Sequence, residues 1–147
     1  YLIFNGEKFV PFKLSYHIGD EIVVLSFFPF AFSPVCTNEF CAFRDNMAEF
    51  GDLNAKVFGI SIDSPFALNA FIKDQSFNFS LLSDFNKDVS NQYGVLIEDL
   101  KGLKGVSKRS LFVIDRAGVV KYRWVSDDPS VMPDFEDLKS SLQSLQG

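Results

Sequence analysis

Ile22-Val23-Val24-Leu25-Ser26-Phe27-Phe28-Pro29-Phe30-Ala31-Phe32-Ser33-Pro34-Val35-Cys36 carries the chain from one regular element into the next. Glu21 to Phe28 is near-continuously apolar, as expected of a strand covered on both faces. Ser33 followed at once by Pro34 reads as a helix N-cap with proline at the first helical position, so Cys36 falls at the third residue of a new helix. From Cys36, the residues Phe40, Phe43, Met47 and Phe50 follow at spacings of four, three, four and three, which predicts a helix running to Gly51. A thiol at such a helix start faces unpaired backbone N–H groups and the positive end of the helix dipole, both of which favour an anion. The thiolate, not the thiol, is the nucleophile.

Downstream, Val57 to Ile62 reads as a second strand, and Ser64-Pro65 repeats the cap-plus-proline signal before a helix with Ala67, Ala70 and Phe71 inward. Strand, helix, strand, helix implies a parallel pair joined by a right-handed crossover. A short strand near Phe79–Leu82 and a helix near Lys87–Tyr93 come next, ended by Gly94, and Ile97–Lys108 reads as loop. Ser110–Ile114 and Val119–Val125 form a hairpin around Asp115-Arg116-Ala117-Gly118, and Phe135, Leu138, Leu142 and Leu145 give a closing amphipathic helix. Upstream, Asn5-Gly6 between Tyr1–Phe4 and Phe9–Leu14 is a hairpin signal, with Pro11 marking the second arm as an edge strand. The expected fold class is α/β and thioredoxin-like: a central mixed sheet flanked by helices, with an N-terminal edge hairpin.

A chain of 147 residues with 47% hydrophobic content supports one well-buried core, so residues 1–147 are expected to form a single domain. Eighteen phenylalanines against one tryptophan make that core strongly aromatic. The net charge of −5 argues against a nucleic-acid or anionic-membrane surface, which would demand excess Lys and Arg. Lys101, Lys104, Lys108 and Arg109 form the one local basic cluster, most simply a solvated loop. No apolar run approaches the length of a membrane span, so a soluble protein is expected. The chain begins at Tyr1 rather than methionine, which leaves a removed leader or a preceding segment open. Two cysteines close in sequence suggest redox chemistry rather than stapling, and favour a reducing, cytoplasmic compartment.

Those cysteines, Cys36 and Cys41, cannot simply be bridged on an intact helix. Five steps place their Cα atoms about 9 Å apart, whereas a disulfide needs roughly 7 Å or less. If they pair, the first turns of the helix must unwind. Cys36 continues the apolar stripe, so it could equally be a small buried hydrophobe; the cap, the proline and the second cysteine favour reactivity. Cys41 is off the stripe and is expected to be partly exposed.

The segment resembles the active-site motif of the peroxiredoxins, Pro, three residues, Thr or Ser, two residues, Cys, here Pro29, Ser33 and Cys36. The second cysteine, in Cys-Thr-Asn-Glu-Phe-Cys, is similar to the bacterioferritin comigratory protein or peroxiredoxin Q subfamily. Ser61-Ile62-Asp63-Ser64, Leu82-Ser83-Asp84, Tyr93-Gly94-Val95 and Arg109-Ser110-Leu111-Phe112-Val113-Ile114-Asp115 fall in family order. The resemblance implies a thiol peroxidase that reduces hydrogen peroxide and organic hydroperoxides. Cys36 would be the peroxidatic nucleophile, Ser33 a hydroxyl donor, Arg109 a fixed positive charge and Pro29 a shield. Cys41 would condense with the sulfenic acid to a Cys36–Cys41 disulfide, recycled by thioredoxin or a similar dithiol. The family also implies a monomer or homodimer, with no cofactor and no metal. Ser33 stands where Thr is usual, and Gly6–Phe12 only loosely matches the family's N-terminal pattern.

Taken alone, Arg109 could pair with an acidic side chain or lie in solvent, and Glu39 could orient an arginine or only favour the helix start. Glu39 is therefore not placed in the catalytic set. His17, the single histidine, has no cysteine near it for a zinc site, and no Cys-x-x-Cys pair is present. The alternative function is a redox sensor in which the same helix melts on oxidation to change a surface.

Overall fold

The computed structural model describes residues 2–4, 7–17 and 19–146. Its strands are β1 (Leu2–Phe4), β2 (Phe9–Pro11), β3 (Ile22–Phe27), β4 (Ala55–Ser61), β5 (Ser80–Ser83), β6 (Leu96–Ile97), β7 (Val106–Ser107), β8 (Ser110–Ile114) and β9 (Val120–Val125). The helices are α1 (Pro34–Asp45), α2 (Met47–Asp52), α3 (Pro65–Gln75), α4 (Asp88–Gln92) and α5 (Phe135–Ser144). The main sheet has seven strands in the order β2-β1-β5-β4-β3-β8-β9. β3, β4 and β5 run parallel, and β8 and β1 flank them antiparallel. This is the mixed sheet expected, with β2 and its Pro11 at the edge, where a missing N–H costs no ladder bond. The Asn5-Gly6 turn lies outside the described residues.

Alternation along β3 builds both sides of the core. Ile22, Val24 and Phe28 join Phe40, Phe43, Phe50, Phe71, Leu138 and Leu142 under α1, α2, α3 and α5. Val23, Leu25 and Phe27 face the other way, onto Phe58, Ile60 and Phe112, with Phe12, Val89 and Tyr93 beside them. Every residue of β3 is buried, as its apolar run predicts. Among the described residues no helix is long and apolar enough to cross a membrane.

α1 lies close to the sheet because β4 offers Gly59 beneath it. A Cβ there would stand 2.5 Å from Leu81 Cδ2 and 3.2 Å from the Phe40 ring, both in the packed core. Gly59→Ala is expected to lose about 1–3 kcal/mol through overpacking. Urea unfolding should show a lower midpoint at unchanged slope.

The structure departs from the sequence expectations at several places. The helix predicted from Cys36 to Phe50 breaks at Asn46, whose Nδ2 donates to Ala42 O at 2.8 Å and whose Oδ1 accepts from Lys139 Nζ at 3.3 Å. A side chain bonding the carbonyl four residues back competes with the helix's own ladder. In α3 it is Leu68 and Phe71 that are buried, while Ala70 is exposed, because the larger apolar pair sets the stripe. The segment read as loop, Ile97–Lys108, takes part in the small β6–β7 pairing, Leu96 opposite Ser107 and Ile97 opposite Val106. The basic cluster is not uniformly solvated: Lys108 pairs with Asp127 at 2.7 Å and Arg109 is buried.

Candidate active site

Between β3 and α1 the chain turns sharply over the sheet, and three contacts hold the turn. Phe28 N donates to Ile60 O at 2.9 Å, and Ala31 N donates to Asp63 Oδ2 at 2.8 Å. Asp63 Oδ2 also accepts from Ser61 Oγ at 2.6 Å. Phe32 adopts a φ of 67°, a left-handed conformation costly for a bulky residue, and its ring packs on Phe71 at 4.9 Å. The turn therefore ends in a defined direction, which sets where α1 begins.

Ser33 and Pro34 occupy the N-cap and first helical positions, as expected, and Ser33 O accepts from Thr37 N at 2.9 Å. The Ser33 side chain does not cap, however. Its Oγ donates to Phe30 O at 3.0 Å, because the tight turn brings that carbonyl within reach. The first-turn N–H groups of Val35 and Cys36 thus receive no side-chain oxygen from the cap residue, and their dipoles point towards whatever occupies the helix start.

Cys36 is fully buried at the third residue of α1. Arg109 reaches it from the residue before β8, Nη2 donating to Sγ at 3.0 Å. The same guanidinium donates through Nη1 to Glu39 Oε2 at 2.5 Å and through Nε to Pro129 O at 3.0 Å. Glu39 Oε1 accepts from Ser26 Oγ at 3.0 Å. Arg109 is 1% exposed, and Ser26 and Glu39 are fully buried, so solvent does not screen the chain of contacts.

Burial pushes the Glu39 carboxyl above its ordinary range, against the pull of Arg109 and Ser26. Burial also works against the charge of Arg109, but Glu39 and Cys36 outweigh it and hold the guanidinium protonated. Both carboxylate oxygens of Glu39 act as acceptors, the arrangement of an ion pair. A thiolate at Cys36 would lie between a fixed positive charge and a helix N-terminus.

A cleft of about 350 Å³ lies beside this network, lined by Pro29, Ser33, Val35, Leu100, Lys101 and Arg109 among others, with Cys36 buried behind Arg109. Its size suits a small polar substrate, and Ser33, Lys101, Arg109 and Ser130 are the polar side chains that line it. A hollow of similar volume, about 380 Å³, lies by Phe9, Phe66 and Phe85 and lacks Arg109, the group that contacts the Cys36 sulfur. Chemistry, not size, singles out the first.

Pro29, Ser33 and Arg109 therefore line one cleft, and Arg109 also contacts Cys36. Cys41 does neither. It lies farther along the intact α1, half-buried, its Sγ donating to Gln75 Oε1 at 3.4 Å. Both cysteines are free. Two members of the network were outside the expected catalytic set, Glu39 and Ser26. Glu39 left a signal in its place one turn after Cys36, and Ser26 in being the one polar residue within an apolar strand. His17 stacks on Phe12 at 5.3 Å and meets Phe58 at a tilt at 5.1 Å. Among the described residues no group of His, Cys, Asp and Glu could hold a metal ion.

Residues 4–123 match the model of the AhpC/TSA family. The 2-Cys peroxiredoxin BAS1 of spinach chloroplasts (Spinacia oleracea) is 35% identical over 95% of this chain, which spans 54% of that protein. The mitochondrial thioredoxin-dependent peroxide reductase of Mus musculus is 40% identical over 86% of this chain, covering 50% of its own length. The chain spans about half the length of both. Among solved structures, the bacterioferritin comigratory protein of Xanthomonas campestris superposes with a TM-score of 0.85 at 26% identity, over 99% of this chain and 90% of that one. With the motif assembled on a thioredoxin-like sheet and most of its length matched, this chain belongs to the AhpC/TSA family of peroxiredoxins.

Proposed function

We propose that this chain is a thiol peroxidase in which Cys36 is the peroxidatic residue, Cys41 resolves it within the same chain, and a thioredoxin-type dithiol recycles it. The observation that carries the reading is Arg109 Nη2 at 3.0 Å from a cysteine thiol at a helix N-terminus, with the same Arg109 lining an open cleft. The Cys36 thiolate attacks one peroxide oxygen, the O–O bond breaks, and the electron pair leaves on the other oxygen, which takes a proton to become water or an alcohol. Sulfur is oxidised to sulfenic acid. Arg109 and the Val35 and Cys36 amides stabilise the charge passing between the oxygens, Pro29 covers the sulfur, and Ser33 offers its hydroxyl oxygen to the peroxide hydrogen.

Cys41 thiolate then attacks Cys36 sulfur, forming the disulfide and releasing hydroxide, protonated to water. α1 must unwind locally for this step, since on the intact helix the two Cα atoms are about 9 Å apart. The second cysteine five residues on supports intramolecular resolution, and the likeness to the bacterioferritin comigratory protein of Xanthomonas campestris, which has alkyl peroxide reduction activity, supports hydroperoxide substrates. Thioredoxin as donor follows the name of the mouse relative. A monomer or homodimer in the cytoplasm is proposed with it, on the ground of two free cysteines, although the relatives named above are chloroplastic and mitochondrial.

The test is peroxide turnover with a thioredoxin donor, coupled to mass spectrometry for the Cys36–Cys41 link. Cys41→Ser should keep the fast first oxidation and lose sustained turnover, accumulating sulfenic and then sulfinic acid at Cys36. Sustained turnover in Cys41→Ser, or a crosslink between two chains, would remove the intramolecular step.

A further inference from the structure

We infer that Ser26 is a positioning residue of this site, acting on Cys36 through Glu39 and Arg109. The inference rests on Cys36 being the reactive thiol, as proposed above. Ser26 lies in β3 on the same face as Ile22 and Val24, the face that packs under α1. It is the one polar side chain in a strand whose every residue is buried. An apolar residue would suit that position if packing were all it supplied. Its hydroxyl instead reaches Glu39 Oε1 at 3.0 Å.

The geometry shows what that bond controls. Glu39 has two oxygens and two donors, Ser26 on Oε1 and Arg109 on Oε2. With one oxygen tied to a strand of the central sheet, the carboxylate cannot rotate about its terminal bond without breaking a buried hydrogen bond. The plane of Glu39 then sets the plane of Arg109, whose guanidinium is rigid and whose Nε is fixed on Pro129 O. Orientation of that fork decides whether Nη2 meets Cys36 Sγ. Ser26 also supplies a hydrogen bond that only a carboxylate oxygen kept as an acceptor can use, favouring the ionised form against the burial that disfavours it. Without the hydroxyl, Oε1 is left unpaired in the core. Glu39 is then free to turn, and Arg109 loses its fixed aim.

The experiment measures Cys36 alkylation and the first oxidation by hydrogen peroxide as functions of pH, in wild type, Ser26→Ala and Ser26→Thr, with Cys36 followed by mass spectrometry. Ser26→Ala is expected to move the onset of Cys36 reactivity to higher pH and slow the first oxidation near neutrality about tenfold. Ser26→Thr, which keeps the hydroxyl, should restore both. In a Glu39→Gln background Ser26→Ala should add no further loss, because its route to Cys36 is already cut. A folded Ser26→Ala with unchanged pH profile and rate overturns the inference, as do additive losses in the Glu39→Gln background. If Ser26→Ala does not fold, Ser26→Thr against Ser26→Val makes the same comparison at equal shape, and equal profiles in that pair overturn it. Alkylation reports on Ser26 even if Cys36→Ser retains peroxide turnover, so failure of the peroxidase reading and failure of this one are distinguishable.

Discussion

Cys36→Ser is expected to bring peroxide consumption with a dithiol donor to the background rate. A serine alcohol does not ionise near neutrality and has no accessible oxidation to a sulfenic acid, so the first step is lost outright. Cys41 cannot replace it, since it lies farther along α1, beyond the helix start and without the Arg109 contact, its thiol turned to Gln75. The fold should persist, because a serine hydroxyl at this position still meets the Arg109 guanidinium and removes little volume. Thermal unfolding run beside the activity assay checks this. Undiminished turnover in a folded Cys36→Ser variant would end the assignment.

Arg109→Met carries the second large effect, and it should appear in two measurements that separate. The first oxidation of Cys36, followed by stopped flow, is expected to slow by about 10²–10³-fold, the usual cost of removing one preorganised donor from developing charge. Stability should fall by about 3–5 kcal/mol, because Glu39 is left a buried carboxylate without its counter-ion. Adding Glu39→Gln to Arg109→Met removes that orphan charge, so urea unfolding should recover much of the stability while the rate stays low. Arg109→Lys keeps a charge but not the fork that serves Cys36, Glu39 and Pro129 together, and is expected to be intermediate in rate. Equal recovery of rate and stability in the double variant would mean that Arg109 acts only as a structural ion pair.

What could be read from residue order was what is local. An apolar run, a Ser-Pro step and a 3.6-residue stripe report on neighbours a few positions apart, and they located β3, the start of α1 and Cys36. Contacts across the chain were not legible in that way. Arg109 meets Glu39 from 70 residues away, and Ser26 meets it from 13, so neither a charge in a basic cluster nor a serine in a strand disclosed its partner. The Ser33 side chain misled for a related reason. Its type predicts a cap, but the carbonyl of Phe30, delivered by the turn, competes for the hydroxyl. Asn46 breaks the helix by the same kind of competition, reinforced by Lys139 of α5.

In the proposed mechanism, the continuity of α1 through both cysteines joins activation to rescue. The helix start that holds Cys36 against Arg109 is the same segment that keeps Cys41 out of reach, with Cys41 and Arg44 tied to Gln75 at the end of α3. Amide hydrogen exchange across Pro34–Arg44, measured on the reduced protein and on a form in which mass spectrometry has confirmed the Cys36–Cys41 disulfide, tests this most directly. The expected result is strong protection in the reduced form and its loss through the first turns of α1 in the oxidised form, with α3 and the sheet unchanged. Equal protection in the two forms, with the disulfide in place, would contradict it.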